Sequence, residues 1–234
     1  MIFAAGLGTR FKPWTNKHPK ALAVINGKSL LQRNIEYLQQ AGIVDVVVNV
    51  HHFSSQVLFA LEKNKGWGSN ISISDETDEV LETGGGLKKA MPLFNTDNIV
   101  IINVDILTDL DLKKMIQFHL AEKPIATLAV TGRNTSRYFL FDEQSNLCGW
   151  RNFKTGEEKI SRQTTTVFPK AFSGIHIINK TLLSQITQQG KFSMVDVYLD
   201  LAKNQIIKGF DHSGSKFIDV GKPEAVATAE ALFA

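Results

Sequence analysis

Only one of the 234 residues is a cysteine, Cys148, so an intrachain disulfide and a multi-cysteine metal cage are excluded. That scarcity suits a reducing compartment such as the cytoplasm. Long apolar runs are missing too: those at 46–50 and 99–102 break off within a few residues, whereas a membrane span needs roughly 20. Charge of one sign is nowhere concentrated. The 26 basic and 23 acidic residues leave a net +3 spread along the chain, without the basic stripe of a nucleic-acid reader. A small anionic ligand is the better match. The opening IFAAG lacks the basic start and long apolar stretch of an export signal and reads as a short first strand. No repeat, low-complexity tract or linker marks a boundary, and a 43% hydrophobic chain of this length is expected to fold as one domain, 1–234.

What the sequence has is alternation. Runs rich in β-branched residues at 2–5, 44–50, 71–74 and 99–104 are separated by segments of helical period at 29–41, 54–65 and 86–93. This is the pattern of a parallel sheet wrapped by helices. Past a further helix at 112–120, capped by Asp111, the texture changes. Strands are expected at 126–130, 138–141, 147–150, 172–178 and 216–220, and helices at 181–188, 195–203 and 223–232. The prediction is an α/β fold, parallel in its first half, with mixed or antiparallel additions in its second.

The stretch AAGLGTRFKPWTNKHPKAL, residues 4–22, follows the first strand directly. Paired glycines let backbone N–H groups converge on an anion, and the basic residues behind them can neutralise it. The dinucleotide fingerprint is not satisfied: Gly6 and Gly8 fit, but Phe11 stands where the third glycine belongs, and the second strand ends at Asn49 and His51 rather than at an acid. An ATPase-type phosphate loop is absent, because Lys20 lies far beyond the glycines with no Ser or Thr after it. What is present is G-x-G-T-R-x-x-P-x-T-x-x-x-P-K, carried by Gly6, Gly8, Thr9, Arg10, Pro13, Thr15, Pro19 and Lys20.

That spacing resembles the signature of the sugar-phosphate nucleotidylyltransferases, and the resemblance runs through nearly the whole chain. LETGGGL at 81–87 is similar to the family's second glycine-rich loop, in the form found in uridylyltransferases acting on N-acetylmuramate 1-phosphate, which serve the cell wall. NVDILTD at 103–109 stands where the family carries a metal-binding Asp, FSGI at 172–175 matches its sugar-side loop, and FIDVG at 217–221 matches its second metal-binding Asp. Val104 departs from the glycine usual before the first of these, and members usually begin a few residues earlier.

The resemblance implies a Rossmann-like nucleotide-diphospho-sugar transferase fold and attack by a sugar 1-phosphate on the α-phosphorus of a nucleoside triphosphate, releasing pyrophosphate. It assigns Ala5, Gly6, Leu7, Gly8, Thr9, Arg10, Lys20, Glu82 and Gly85 to the nucleotide, and Gly84, Asn103, Ser173 and Gly174 to the sugar. Asp105 and Asp219 are assigned to Mg²⁺, an ion that takes oxygen ligands and bridges phosphates. Arg10, Lys20 and Asp105 are expected to carry catalysis, with UTP as donor. Two alternatives stand beside this reading: a cytidylyltransferase for an alcohol phosphate such as phosphocholine, and a non-catalytic nucleotide-sugar-binding homologue. Neither nucleic acid nor membrane is expected as a partner, and the oligomeric state stays open. His51 and His52 are expected to be loop residues rather than metal ligands, Trp14, Trp67 and Trp150 to pack, and Asp196 could face the sugar.

Overall fold

The computed structural model describes residues 1–234. In chain order its first half comprises β1 (Ile2–Phe3), a hairpin of β2 (Val24–Ile25) and β3 (Lys28–Ser29), α1 (Leu30–Gln40), β4 (Asp45–Val50), α2 (Ser54–Lys63), β5 (Asn70–Asp75), α3 (Glu82–Ala90), β6 (Asn98–Asn103), β7 (Ile106–Thr108) and α4 (Leu112–Glu122). The second half adds β8 (Ala126–Thr131), β9 (Arg137–Phe141), β10 (Leu147–Asn152), β11 (Glu158–Ile160), β12 (Phe168–Asn179), α5 (Thr181–Ser184), α6 (Met194–Leu201), β13 (Ile207–Asp211), β14 (Phe217–Asp219) and α7 (Ala225–Leu232).

Strands β6, β1, β4 and β5 lie side by side and parallel, with Ile2 of β1 between Val48 and Ile102. Covered on both faces, β4 and β6 bury Val46, Val47, Val48, Val50, Ile99, Ile101 and Ile102, which is why they read as continuous apolar runs. Beyond β6 the sheet turns antiparallel through β12, β9, β10 and β11, while β8 pairs antiparallel with β12 and parallel with β13. The α/β architecture is the one expected, a parallel first half with antiparallel additions.

Helix α1 shows how the layers are held. Leu30, Leu31, Ile35 and Leu38 recur at helical spacing and are fully buried, and the Ser29 side chain accepts the Gln32 amide (3.1 Å) as its N-cap. Such a cap contributes about 1 kcal/mol. No helix is long and apolar enough to cross a membrane.

Three differences from the sequence reading have physical causes. The helix expected at 86–93 begins at Glu82, four residues earlier, because the Gly84 and Gly85 amides find a tertiary acceptor in the Phe192 carbonyl (2.9 and 3.4 Å). The helix expected at 181–188 stops at Ser184, and the following residues run across α3, where Lys88 binds the Ile186 and Gln188 carbonyls (3.1 and 2.7 Å). Strands β7, β11 and β13 have three to five residues each and are recruited by their neighbours rather than announced by periodicity.

The chain goes from β1 outward to β4 and β5, then returns to the other flank of β1 as β6. The order thus reverses between β1 and β6, and open α/β sheets hold ligands in the crevice outside the strand ends at such a point.

Candidate active site

At the C-terminal end of β1 the backbone is pinned by a buried side chain. Asn49, near the end of β4, accepts the Ala4 and Ala5 amides on Oδ1 (2.7 and 3.3 Å) and donates from Nδ2 to Glu76 Oε1 (2.7 Å). The glycine loop springs from this anchor. Gly8 takes φ +60°, and its carbonyl accepts both the Phe11 amide (2.8 Å) and the hydroxyl of buried Thr15 (2.9 Å). A Cβ at Gly8 would lie 2.8 Å from the Thr15 methyl, so glycine is required there. The amides of Gly6, Leu7, Gly8 and Thr9 have no acceptor within the protein and open to solvent, the arrangement that receives an anion.

Pro19 and the short turn Lys20–Leu22 deliver the Lys20 ammonium to Asp105, with which it forms a largely buried ion pair. Asp105 follows β6. The carbonyl of the preceding Val104 is held by the Asn34 amide of α1 (2.9 Å), while the Val104 side chain packs into the core. Strand β14 then pairs antiparallel with β7, setting Asp219 opposite Ile106, and the Val220 amide binds the Asp105 carbonyl (2.8 Å). Two carboxylates distant in sequence are thus brought together. Arg10 joins them: a Cβ on Gly221 would lie 2.7 Å from Asp219 Oδ1 and 2.8 Å from Arg10 Nη2, so both groups crowd the same bare backbone.

The electrostatics follow. Although Asp219 opens to solvent on one side, the packing around its carboxyl, and then the Asp105 carboxylate, push its pKa above the ordinary range against the pull of Arg10, Lys20 and Arg133. Two acids confronting one another in this way suit a hard divalent cation. No group of three or more His, Cys, Asp or Glu side chains converges in the structure; two carboxylates are a donor set that Mg²⁺ can use, since it takes one or two and completes its shell with water and substrate phosphates.

A cavity of about 240 Å³ opens at this crevice, lined among others by Gly6, Lys20, Asn49, Glu76, Glu82 and Asp105. A larger one, about 580 Å³, lies between α1, β7 and the start of α4 and contains none of these residues. Convergent charge, not size, marks the site.

The other residues singled out in the sequence fall as follows. Asn103 lines the cavity and packs on Gly174, where φ is +72° and a Cβ would sit 2.8 Å from Asn103 Nδ2. Ser173 is buried, its Oγ 2.7 Å from His212 Nε2. Glu82 lines the cavity and lies 3.7 Å from Lys191. Gly84 and Gly85, expected to meet the sugar and the nucleotide through bare backbone, turn instead to the segment 190–192. A Cβ at Gly84 would lie 2.4 Å from the Phe192 ring, and one at Gly85 2.3 Å from the Gly190 carbonyl. Asp196 binds Lys159 at the surface (3.0 Å). His51 Nδ1 lies 2.6 Å from the Glu76 carbonyl oxygen, and the His52 ring lies against Phe53 at 4.1 Å, tilted by 50°.

Three neighbours of the site were not singled out: Asn49, Glu76 and Arg133. A polar residue ending an apolar strand is a usable signal for Asn49. Glu76 hides in the acidic run SDETDE and Arg133 in the polar run GRNTSR, both of which read as solvated loops.

The nucleotidyl transferase family model matches residues 1–233. The chain is 30% identical over 243 aligned residues to an N-acetylmuramate alpha-1-phosphate uridylyltransferase of Caulobacter vibrioides, covering 100% of this chain and 96% of that protein. It is 27% identical over 240 residues to a mannose-1-phosphate guanyltransferase of Yarrowia lipolytica, covering all of this chain but only 63% of that longer enzyme. Among solved structures, HddC of Yersinia pseudotuberculosis matches 100% of this chain and 98% of its own at 25% identity with a TM-score of 0.78. A UDP-glucose pyrophosphorylase complexed with UDP-glucose shares the fold at 18% identity, with a TM-score of 0.78 over 99% of this chain and 96% of its own. The chain therefore belongs to the nucleotidyl transferase family, among the sugar-phosphate nucleotidylyltransferases.

Proposed function

We propose that this chain, as a single domain over 1–234, transfers uridylate from UTP to a sugar 1-phosphate, giving a UDP-sugar and pyrophosphate. The observation that carries the reading is the convergence of Arg10, Lys20, Asp105 and Asp219 at the crevice where the strand order reverses. The nucleophile is a phosphate oxygen that is already an anion, so no general base is required, and the work of the protein is to align two polyanions and neutralise them. The amides of Gly6 to Thr9, continuing from Ala5, cradle the triphosphate. Arg10 meets the departing pyrophosphate, and Lys20 exchanges Asp105 for the α-phosphate and the incoming sugar phosphate. Asp105 and Asp219 would hold Mg²⁺, which supplies charge neutralisation of the phosphates. Asn103, Ser173 and Gly174 form the sugar side, and Glu82 borders the nucleotide.

UTP is preferred on the strength of the LETGGG segment and of the 30% identity to a uridylyltransferase over the full chain. An N-acetylated or related hexose 1-phosphate is the matching acceptor, and a muramate-type sugar would tie the reaction to cell-wall precursors. A cytoplasmic setting accords with the single buried thiol, Cys148. The guanyltransferase relatives supply the rival donor, GTP. Pyrophosphate release should be measured for the common nucleoside triphosphates against a set of sugar 1-phosphates with Mg²⁺ present. UTP should lead by tenfold or more, since one misplaced hydrogen bond to a base costs about 1–3 kcal/mol. A GTP preference would overturn the donor, and no release with any pair would overturn the reaction.

A further inference from the structure

Asp219 has near it a third cation that the first loop does not supply. Arg133 follows β8 and is half-buried. Its Nη2 donates to the Phe172 carbonyl (2.7 Å), and Nη1 donates to Thr131 Oγ1 (3.1 Å) and to the Ala171 carbonyl (3.4 Å). The flat of the guanidinium lies 4.5 Å from the centroid of the Phe217 ring. These contacts clamp together β8, β12 and β14, immediately before Ser173 on one strand and two residues before Asp219 on another.

A guanidinium has five N–H donors. Here three are directed at neutral oxygens, and Nε–H with the second Nη2–H have no acceptor in the protein. The hydrogen-bond partners of this half-buried charge are all neutral, and Asp219 is near without pairing with it, so its free N–H edge can still take an anion. The other basic group on this flank does not compete. His212 is buried, donates to or accepts from Ser173, and is held by burial at a pKa of about 4, so it is neutral at pH 7. Arg133 carries positive charge here, and Asp219 feels it. Arg10 and Lys20 come to the carboxylates from the loop after β1, whereas Arg133 comes from the loop after β8 and is anchored on β12, the flank given above to the sugar.

We propose that Arg133 binds the phosphate of the acceptor sugar 1-phosphate, its unused N–H edge taking the phosphate oxygens while Arg10 serves the triphosphate and Lys20 stands between the two phosphates. The assignment rests on the nucleotidylyltransferase reading for the identity of the acceptor, and it rests on the geometry of Arg133 for the site. The planar fork matters, because two parallel N–H donors fix the orientation of the phosphate as well as attracting it.

The test uses the intact protein and its Arg133→Gln and Arg133→Lys variants. Binding of N-acetylglucosamine 1-phosphate, glucose 1-phosphate and mannose 1-phosphate is measured by calorimetry beside the unphosphorylated sugars and UTP, and steady-state constants are taken with whichever pair turns over. Arg133→Gln should weaken the sugar 1-phosphates about tenfold to hundredfold, the loss of a charge-assisted contact. The free sugars and UTP should stay within twofold. The acceptor KM should rise while the triphosphate KM holds, and Arg133→Lys should recover part of the loss.

Unchanged sugar 1-phosphate affinity in Arg133→Gln, an equal loss for UTP, or a wild type that binds none of the three phosphates would overturn the assignment. A wild type that binds sugar 1-phosphates through Arg133 but turns over no pair would keep the assignment and remove the nucleotidylyltransferase reading. If circular dichroism shows Arg133→Gln unfolded, Arg133→Lys decides. A sugar 1-phosphate loss of fivefold or more with UTP unchanged supports the site, and wild-type affinity refutes it.

Discussion

Asn49→Leu is the substitution by which the anchor of the glycine loop can be weighed. Leucine fills nearly the same volume, so little of the effect arises from packing. In the native protein Asn49 satisfies three groups: Ala4 N at 2.7 Å, Ala5 N at 3.3 Å and Glu76 Oε1 at 2.7 Å. A buried polar group stripped of its partner costs about 1–3 kcal/mol, and more beside a charged one. The Ala5 contact is long and adds little. The Ala4 amide and the Glu76 carboxyl are both buried, so the sum comes to about 3–5 kcal/mol. At about 2–4 °C per kcal/mol for a chain of this length, the Tm should fall by about 6–20 °C. Acidity supplies a second check on sign. Burial is the largest influence on Glu76 and raises its pKa, while Asn49 and the Leu81 amide pull it down. An ionised Glu76 is therefore a native-state penalty that is present at neutral pH. It is relieved as pH falls through the folded-state pKa and is gone below the ordinary value, where folded and unfolded chains are both protonated. Removing Asn49 raises that folded-state pKa further. The stability gap between the two proteins should be widest near neutral pH and narrow toward about pH 4.5. Urea unfolding followed by circular dichroism at a series of pH values measures it. A loss under about 1 kcal/mol at neutral pH, or a gap that grows on acidification, would refute the reasoning.

Other expectations are more direct. Asp105→Ala and Asp219→Ala should each lower turnover by about 100-fold or more with the fold retained, and chelator should abolish wild-type activity; pyrophosphate release with thermal melts decides, and full activity in chelator would remove the metal assignment. Arg10→Ala should reduce kcat about tenfold to hundredfold with little change in the acceptor KM, because charge on the leaving pyrophosphate grows in the transition state. Gly84→Ala places a Cβ 2.4 Å from the Phe192 ring and 2.9 Å from its carbonyl oxygen. It should cost about 1–3 kcal/mol and expose residues 188–193 to limited proteolysis, and a variant as stable and protease-resistant as wild type would sink that account.

The parallel half of the sheet was legible because strands buried on both faces are apolar along most of their length, as Val46–Val48 of β4 and Ile99–Ile102 of β6 are. The short strands were not, since a run such as Glu158–Ile160 is exposed along its whole length and owes its conformation to β10 beside it. Within the site, local spacing revealed Arg10 and Lys20 because one loop carries both. Asp219 reaches Asp105 only through the pairing of β14 with β7, which no local pattern encodes. The glycine triplet misled for a physical reason: three glycines disfavour a helix in isolation, and only the Phe192 carbonyl, far along the chain, makes the helix begin there. Arg133 was invisible because a charge in a polar loop looks solvated until the fold buries half of it.

The glycine face of α3 also bears on how this chain could diverge. A Cβ at 84 meets Phe192, one at 85 meets the Gly190 carbonyl, and one at 86 would lie 2.5 Å from the Glu76 carboxylate. All three positions are closed to every other residue unless the opposing segment moves with them, so single changes there lead only to loss. Val80 and Glu82 line the cavity with side chains that make no hydrogen bond within the protein and can be exchanged one at a time. A lineage acquiring a different nucleotide or sugar would accumulate its substitutions at those two places while the glycines stayed fixed, which makes the triplet a marker of descent and its neighbours the record of specificity.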